Sequence, residues 1–417
     1  MTERRGPRSR IGVLAAVAIL AAACGTDTRN GAAGANELDP TGTSTTATAS
    51  TTGSTPATTT TTTTLPSTTT TTTTTTTPSS TTTIPTTTTA TTTTTTPVST
   101  HPPARSAPPA ADPSFAATQA AFDPFVRANL GASISVARAG EVVFEYAAGP
   151  RVDGDPATAS TPMLVASVSK LMTAATVARL AERGDVDLDA PMPWWVMGIA
   201  AHPEWLEVTP RELLGHAAGM PVARPEWFRG GATCEDFLPT LVAAPPTATR
   251  GRWTYSNGNY CALGLLLEHV TGRSAVEAVF DELFAPLGLS GLHSTELGLL
   301  PGDMQHPKRV ERLSRLGAAG TFIVSTNDLA LALSHLSDAE IATLGAPSVF
   351  TDQYGLGHTG TIEGAKACTW ILQGGATVVS AAISGDSVGF GGVICDRVLP
   401  ALAIDLGLPS VEPRRWP

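Results

Sequence analysis

The sequence predicts an α+β domain built on one antiparallel sheet. Short strand patterns over Ser133–Ala137 and Val142–Ala147 lie near one end of the domain, and Lys366–Leu372 and Ala376–Ile383 lie near the other. Helical patterns occupy the region between them. Strands at the two ends of a domain can pair within one sheet while the intervening chain packs beside it. We therefore expect the terminal strands to share an antiparallel sheet that carries a helical insert.

Local signals support each element in turn. Ala139-Gly140 separates the first two strands and predicts a hairpin. Apolar residues at helical spacing predict a helix over Leu171–Ala181, and Gly184 is expected to end it. The other predicted helices are Glu212–Leu214, Tyr260–Val270 closed by Gly272, Ala275–Leu283, Asn327–Leu336 with a Thr326/Asn327 cap, and Val393–Leu406.

Composition divides the chain of 417 residues into two unlike parts. No aromatic residue precedes Phe115, and no charged side chain occurs from Thr41 to Ala104. A Thr/Pro-rich segment of this kind cannot offset its chain entropy by burial, so residues 24–112 are predicted to be a disordered, stalk-like linker. Residues 113–417 are numerous enough for one large domain. The net charge of -10, without a basic stripe, argues against a nucleic-acid partner.

The first residues have the pattern of an export signal. Several arginines precede an apolar run over Ile11–Ala23, which is shorter than the about 20 residues that span a membrane. Residues 1–23 therefore read as a signal peptide. Small residues before Cys24 resemble a bacterial lipoprotein cleavage site, so we favour a lipid anchor at Cys24 that holds the chain to the membrane outside the cytoplasm. Ordinary cleavage at the Ala-rich end, which would release a secreted protein, is the alternative.

The remaining cysteines predict disulfides. Four cysteines in an exported domain suggest two bonds, and three pairings are possible. We favour the pairs nearest in sequence, which are Cys234–Cys261 and Cys368–Cys395. No Cys-x-x-Cys spacing occurs, so a zinc site is not expected. No other metal or cofactor is expected.

Ser167 and Lys170 form the clearest chemical motif. They lie three residues apart at the start of a predicted helix, so the two side chains share one face. A serine hydroxyl becomes a good nucleophile when an adjacent base takes its proton, and a lysine can do so if its pKa is lowered. Only three lysines occur, and only Lys170 has a serine three places before it. Taken alone, the motif could equally be a surface helix cap.

Two further clusters carry polar groups. Tyr255 and Asn257, two residues apart in a predicted polar turn, can point the same way and offer a phenol and an amide. Considered alone, a plain turn is the simpler interpretation. His358-Thr359-Gly360 offers a ring donor, a hydroxyl and an unshielded backbone. For His358 alone, a structural histidine is the simpler interpretation.

The order Ser-x-x-Lys, Tyr-x-Asn and His-Thr-Gly resembles the serine penicillin-recognising family. It looks most like the branch that contains class C β-lactamases, HTG-type D-alanyl-D-alanine carboxypeptidases, and related D-aminopeptidases and esterases. Leu213–Met220 is similar to the block LLTHTSGL, and Ala318–Ala330 is similar to AGGLVSTA-DLA. The likeness extends over residues 115–417. It implies a β-lactamase/transpeptidase-like fold, in which helices flank an antiparallel sheet and form an all-helical subdomain.

The resemblance also implies a role for each matching residue. Ser167 would form the acyl-enzyme, and Lys170 would be its base, alone or together with Tyr255. Tyr255 would pass a proton to the leaving group, and Asn257 would hold the amide oxygen of the substrate. His358 and Thr359 would contact the substrate carboxylate or its surroundings, and the oxyanion hole would be the backbone N–H groups of Ser167 and of Thr361, which follows Gly360.

One departure bears on the substrate. His358 stands where most β-lactamases have lysine, and a neutral histidine attracts a carboxylate less strongly. An alternative contact for an anion could come from arginines, although they are more readily explained as solvated surface charges. These arginines are Arg224, Arg229, Arg250 and Arg252.

The sequence thus predicts an exported serine hydrolase with a small-molecule or peptide substrate. Our specific expectation is an enzyme like a D-alanyl-D-alanine carboxypeptidase, acting on peptidoglycan peptides near its membrane anchor. An esterase or a weak β-lactamase is the alternative within the family. An alternative of another class is a non-catalytic protein that binds the cell wall.

Overall fold

The computed structural model describes residues 113–222, 233–345, 350–372 and 374–408. The predicted signal peptide, the lipidation site Cys24, the linker before residue 113, Arg224 and Arg229 lie outside these residues. Across the described ranges, no helix combines the length and the apolar character that crossing a bilayer requires.

The strands form two antiparallel sheets. In chain order they are β1 (Gly131–Arg138), β2 (Glu141–Ala148), β3 (Met163–Leu164), β4 (His293–Ser294), β5 (Phe322–Val324), β6 (Phe350–Asp352), β7 (Gly355–Ile362), β8 (Ala365–Leu372) and β9 (Thr377–Ser384). The larger sheet has the order β2-β1-β9-β8-β7-β6 and the smaller one the order β3-β5-β4. Strands from both ends of the domain therefore share one sheet, which confirms the predicted α+β class.

Helices cover both faces of the larger sheet and build the intervening region. They are α1 (Ala116–Ala128), α2 (Ser169–Arg183), α3 (Pro210–Leu214), α4 (Cys234–Val242), α5 (Asn257–Thr271), α6 (Ala275–Val279), α7 (Thr326–Ser334), α8 (Asp338–Gly345) and α9 (Gly392–Asp405). Gly184 and Gly272 close α2 and α5 with φ values of 86° and 67°, as the sequence predicts.

Two apolar layers hold the larger sheet between helices. On one face, alternate residues of β8 and β9 such as Trp370 and Val379 pack with Phe122 of α1 and Val398 of α9. The intervening residues of the same strands join the larger core that contains α2 and α5. Side chains of adjacent strand residues point to opposite faces, which explains why β8 is buried along its whole length. The sheet is therefore a rigid support for anything bound along its edge.

Both disulfides of the described domain join neighbouring elements. Cys234 of α4 is bonded to Cys261 of α5, and Cys368 of β8 is bonded to Cys395 of α9. Of the three pairings the sequence allows, these are the favoured ones, and the prediction is confirmed. Disulfides of this kind are typical of proteins outside the cytoplasm.

Three local predictions need correction. The cap of α7 is Ser325, whose side chain accepts a hydrogen bond from the backbone N–H of Asp328 at 2.9 Å. The predicted helix over Ala275–Leu283 is regular only as far as Val279, and a π-helical turn follows. Helix α1 was not predicted, because Pro124 interrupts its pattern.

Candidate active site

Ser167 lies in a 3₁₀ turn over Ala166–Val168, here called the Ser167 turn, which leads directly into α2. Ala166 has a φ of 49°, a backbone conformation that residues other than glycine seldom adopt. The side chain of Ser169 donates to the carbonyl oxygen of Ala166 at 2.7 Å and accepts from the backbone N–H of Phe322 at 3.1 Å. These bonds tie the turn to β5 and fix the direction of the Ser167 side chain.

Lys170 is completely buried beside this turn. Its Nζ atom lies 3.3 Å from Ser167 Oγ, 2.8 Å from Asn257 Oδ1 and 2.6 Å from the carbonyl oxygen of Ala319. In the described part of the chain these hydrogen-bond partners are all uncharged oxygen atoms. Burial lowers the pKa of Lys170, because an ammonium ion would lose its hydration there and none of these three partners is a carboxylate.

The geometry suits a neutral amine with its lone pair towards Ser167. A neutral lysine has two hydrogens and one lone pair, whereas the Asn257 and Ala319 carbonyl oxygens can only accept. The two hydrogens therefore satisfy these carbonyls. The lone pair is left facing Ser167 Oγ, from which it can accept the hydroxyl proton.

Tyr255 approaches Ser167 from the other side. Its hydroxyl lies 3.2 Å from Ser167 Oγ, and its ring centroid lies 5.1 Å from Lys170 Nζ. The predicted polar turn is instead a helix start: Ser256 caps α5 by accepting from the N–H of Gly258 at 3.1 Å, and Asn257 is the first helical residue. The structure thus brings together four of the site residues predicted from the sequence: Ser167, Lys170, Tyr255 and Asn257.

His358 and Gly360 lie on one face of β7, and Thr359 and Thr361 lie on the other. The first face is turned to the Ser167 turn, since a Cβ on Gly360 would point at Val165. The second is turned to α9, where Thr361 Oγ1 accepts from the N–H of Gly391 at 2.9 Å. The hydroxyl of Thr359 is therefore not brought to the face that carries Ser167.

The His358 ring is buried and neutral. Its Nδ1–H donates to the carbonyl oxygen of Thr359 at 2.7 Å, and this contact leaves the lone pair on Nε2. Burial lowers the pKa of His358 to about 3. The side chain can therefore accept a hydrogen bond at neutral pH, but it cannot attract an anion as a cation would.

Strand β7 presses closely on the Ser167 turn. A Cβ atom on Gly360 would lie 2.1 Å from the carbonyl oxygen of Val165, so only glycine allows this approach. Strand β6 pairs with Gly355–Gly357 alone, which leaves the following edge of β7 without a strand partner in the described part of the chain. Beside the Ser167 hydroxyl there is therefore an edge of β7 to which no described strand is paired.

The arginines near the site agree with the favoured interpretation of the sequence, and one contact of Lys170 was not predicted. Arg250 forms an ion pair with Glu212, at 2.7 Å between Nε and Oε1, and Arg252 is exposed, so neither is held in the group around Ser167. The carbonyl oxygen of Ala319 contacts Lys170, a role that sequence reasoning missed. Every residue has a backbone carbonyl, so residue type gave no signal for it.

Comparison with known proteins identifies the family. A model of the beta-lactamase family matches residues 118–393, which is more than half of the chain. The chain belongs to the beta-lactamase family. Its described domain has the α+β fold of β-lactamases and transpeptidases, as the sequence resemblance implies.

Relatives within the family have several activities in their names. The chain is 31% identical over 215 residues to the esterase/beta-lactamase LipL of Mycobacterium tuberculosis, covering 49% of this chain and 47% of that protein. It is 32% identical over 197 residues to the esterase EstB of Burkholderia gladioli, covering 41% and 49%. The chain thus spans about half the length of these curated relatives.

Solved structures show the same fold. The D-amino acid amidase of Ochrobactrum anthropi, in complex with L-phenylalanine, aligns with a TM-score of 0.58 over 70% of this chain and 98% of the amidase, at 21% identity.

Proposed function

We propose that this protein hydrolyses a carboxylic ester or an amide through an acyl-enzyme on Ser167. The observation that carries the proposal is the approach of Lys170 Nζ and the Tyr255 hydroxyl to Ser167 Oγ, at 3.3 and 3.2 Å. Ser167 Oγ attacks the substrate carbonyl carbon, and its proton passes to the neutral Lys170 amine. Tyr255 then delivers a proton to the departing alcohol or amine and regains one from Lys170, so that the amine is neutral again.

The second half of the reaction uses the same groups. A water molecule attacks the acyl carbon, loses a proton to the Lys170–Tyr255 pair, and the bond to Ser167 Oγ breaks as that oxygen regains a proton. The oxyanion formed in each half would be held by the backbone N–H groups of Ser167 and Thr361. The close approach of Gly360 to Val165 supports this pairing, because it brings β7 beside the Ser167 turn. Asn257, whose carbonyl oxygen faces Lys170, keeps its amide N–H₂ for the substrate.

The absence of a charge on His358 favours uncharged substrates. A neutral ring offers no fixed positive charge for a substrate carboxylate, and burial keeps this ring neutral. A neutral ester or an amino-acid amide has no carboxylate, so its binding does not require a positive charge. The names of the relatives LipL and EstB, both of which include esterase, support the same substrate class. We therefore place esters and neutral amides first.

Hydrolysis of D-alanyl-D-alanine peptides is the second candidate. The His358-Thr359-Gly360 motif favours it, because the sequence resemblance links that motif to HTG-type carboxypeptidases. Such a peptide ends in a carboxylate, so its binding would need a positive charge that His358 does not supply. The proposed location agrees with either candidate: a domain of residues 113–417, tethered by residues 24–112 to a lipid anchor at Cys24 after removal of residues 1–23.

A substrate panel separates these functions. The full chain and its Ser167→Ala variant would be assayed with a neutral aryl ester, an amino-acid amide, a peptide ending in D-Ala-D-Ala, and a fluorescent penicillin. We expect turnover of the ester or the amide, lost in the variant. Faster turnover of the peptide would favour the carboxypeptidase, and rapid turnover of penicillin would favour a β-lactamase. Equal activity of the wild type and the variant would refute the role of Ser167.

A further inference from the structure

His216 is a buried histidine to which the proposed reaction assigns no step. It lies after α3, with 3% of its surface exposed and a φ of 52°. Its ring centroid is 4.7 Å from that of Tyr255 and 5.2 Å from that of Tyr260. A histidine enclosed in this way packs on the side chain whose hydroxyl contacts Ser167.

Hydrogen bonds accepted by His216 fix the backbone on both sides of Tyr255. The backbone N–H of Thr254 donates to the carbonyl oxygen of His216 at 2.8 Å. The backbone N–H of Ser256 donates to His216 Nδ1 at 3.3 Å. One residue thus holds the backbone N–H groups of the residues before and after Tyr255, while its ring packs on the Tyr255 ring.

These contacts require a neutral ring with its lone pair on Nδ1. A backbone N–H can only donate, so Nδ1 must accept, and the side-chain amide of Asn259 lies 2.8 Å from the same atom. Within the described residues, Nε2 has no hydrogen-bond partner. Burial holds the pKa of His216 well below its ordinary value, which keeps the acceptor available at neutral pH.

We infer that His216 is a positioning residue, which acts through Nδ1 to hold the Tyr255 hydroxyl within reach of Ser167 Oγ. The inference rests on the function proposed above, since it assigns His216 to the proton transfer by Tyr255. His216 itself touches neither Ser167 nor a reacting atom. A phenol displaced by about 1 Å from its working position can cost a large part of its contribution to the rate.

Two substitutions of His216 test whether a hydrogen-bond acceptor is needed at the position of Nδ1. In His216→Asn the amide oxygen can occupy the place of Nδ1, whereas in His216→Gln it lies one bond further out. We expect His216→Asn to acylate within about threefold of the wild type, and His216→Gln to acylate at least about tenfold more slowly. Equal losses in the two variants would overturn the inference. Thermal unfolding of each variant reports whether the full chain remains folded.

The Tyr255→Phe background separates positioning from a general structural role. If His216 acts through the phenol, His216→Gln should slow acylation by less than about twofold once that phenol is absent. A full tenfold loss in this background would overturn the inference. Should His216→Gln fail to fold, Asn259→Ala provides a second cycle, because it removes the amide beside Nδ1 and places a good helix former in α5.

Failure of this inference and failure of the proposed function give different results. Acylation of the wild type that survives in Ser167→Ala would refute the function itself. A different result would refute the positioning role alone. In that case acylation would depend on Ser167 and on Tyr255, but the losses for His216→Gln and Tyr255→Phe would be additive.

Discussion

Gly360→Ala tests whether β7 completes the site by its contact with the Ser167 turn. The added Cβ would lie 2.1 Å from the carbonyl oxygen of Val165, whereas real Cβ contacts essentially never fall below 3.0 Å. Strand β7 must therefore retreat from the turn by about 1 Å, and a displacement of this size at a reacting group can cost about 100-fold in rate. We expect acylation by the folded variant to fall by about that factor. The strain should also lower the free energy of unfolding by about 1–3 kcal/mol.

Gly357→Ala is the matched control. It lies on the same strand, and its Cβ would also lie 2.1 Å from a backbone oxygen, that of Thr369 in β8. Its destabilisation should be similar or larger, since the indole of Trp370 is close as well. The assay is the acylation rate with an aryl ester, corrected for the folded fraction from thermal unfolding. If Gly360→Ala loses no more activity than Gly357→Ala, the reasoning is refuted.

Three further predictions follow from the same geometry. Because burial lowers the pKa of Lys170, the acylation rate should rise with pH and level off below the ordinary lysine pKa of about 10.4, and a rate that does not rise, or that keeps rising up to that pKa, would contradict this. His358→Lys should raise kcat/KM about tenfold for an ester bearing a carboxylate, relative to its uncharged analogue, and an unchanged ratio would argue against our view of substrate charge. Replacing Cys368 and Cys395 by alanine removes a disulfide between residues 27 apart in sequence, so the free energy of unfolding measured with denaturant should fall by about 3 kcal/mol. The kcat of the folded variant should not change, and a fall in kcat at full folding would contradict the prediction.

Much of the fold could be predicted because it depends on local signals. Gly184 and Gly272 end helices through left-handed backbone conformations that glycine adopts easily, and both appear in the sequence after an apolar helical pattern. The Ala139-Gly140 hairpin similarly follows from two residues with positive φ, 51° and 82°. Such features need no knowledge of the tertiary structure.

Only part of the predicted site follows from local structure. The rest depends on the order of the three motifs along the chain, which the family resemblance explains. Ser167 and Lys170 meet because they share a helix face, so their contact could be predicted. Tyr255 meets them across 88 residues, and only the family resemblance indicated that contact. The sequence also could not show that Ala319 would contribute a backbone carbonyl, since that depends on the path of the chain.

Some predictions failed because several residues could serve one purpose. Ser325, Thr326 and Asn327 can each cap a helix, and the structure uses Ser325. The predicted substrate contact of Thr359 stays a prediction; strand alternation places its side chain on the face of β7 opposite to that of His358.

The central claim is that Ser167 carries the acyl group. The most direct measurement is mass spectrometry of the full chain mixed with an ester substrate and quenched in acid during turnover, followed by peptide mapping. We predict a mass increase equal to the acyl group on the peptide that contains Ser167, and no increase in Ser167→Ala. An acyl group on another residue, or sustained hydrolysis by Ser167→Ala, would contradict it.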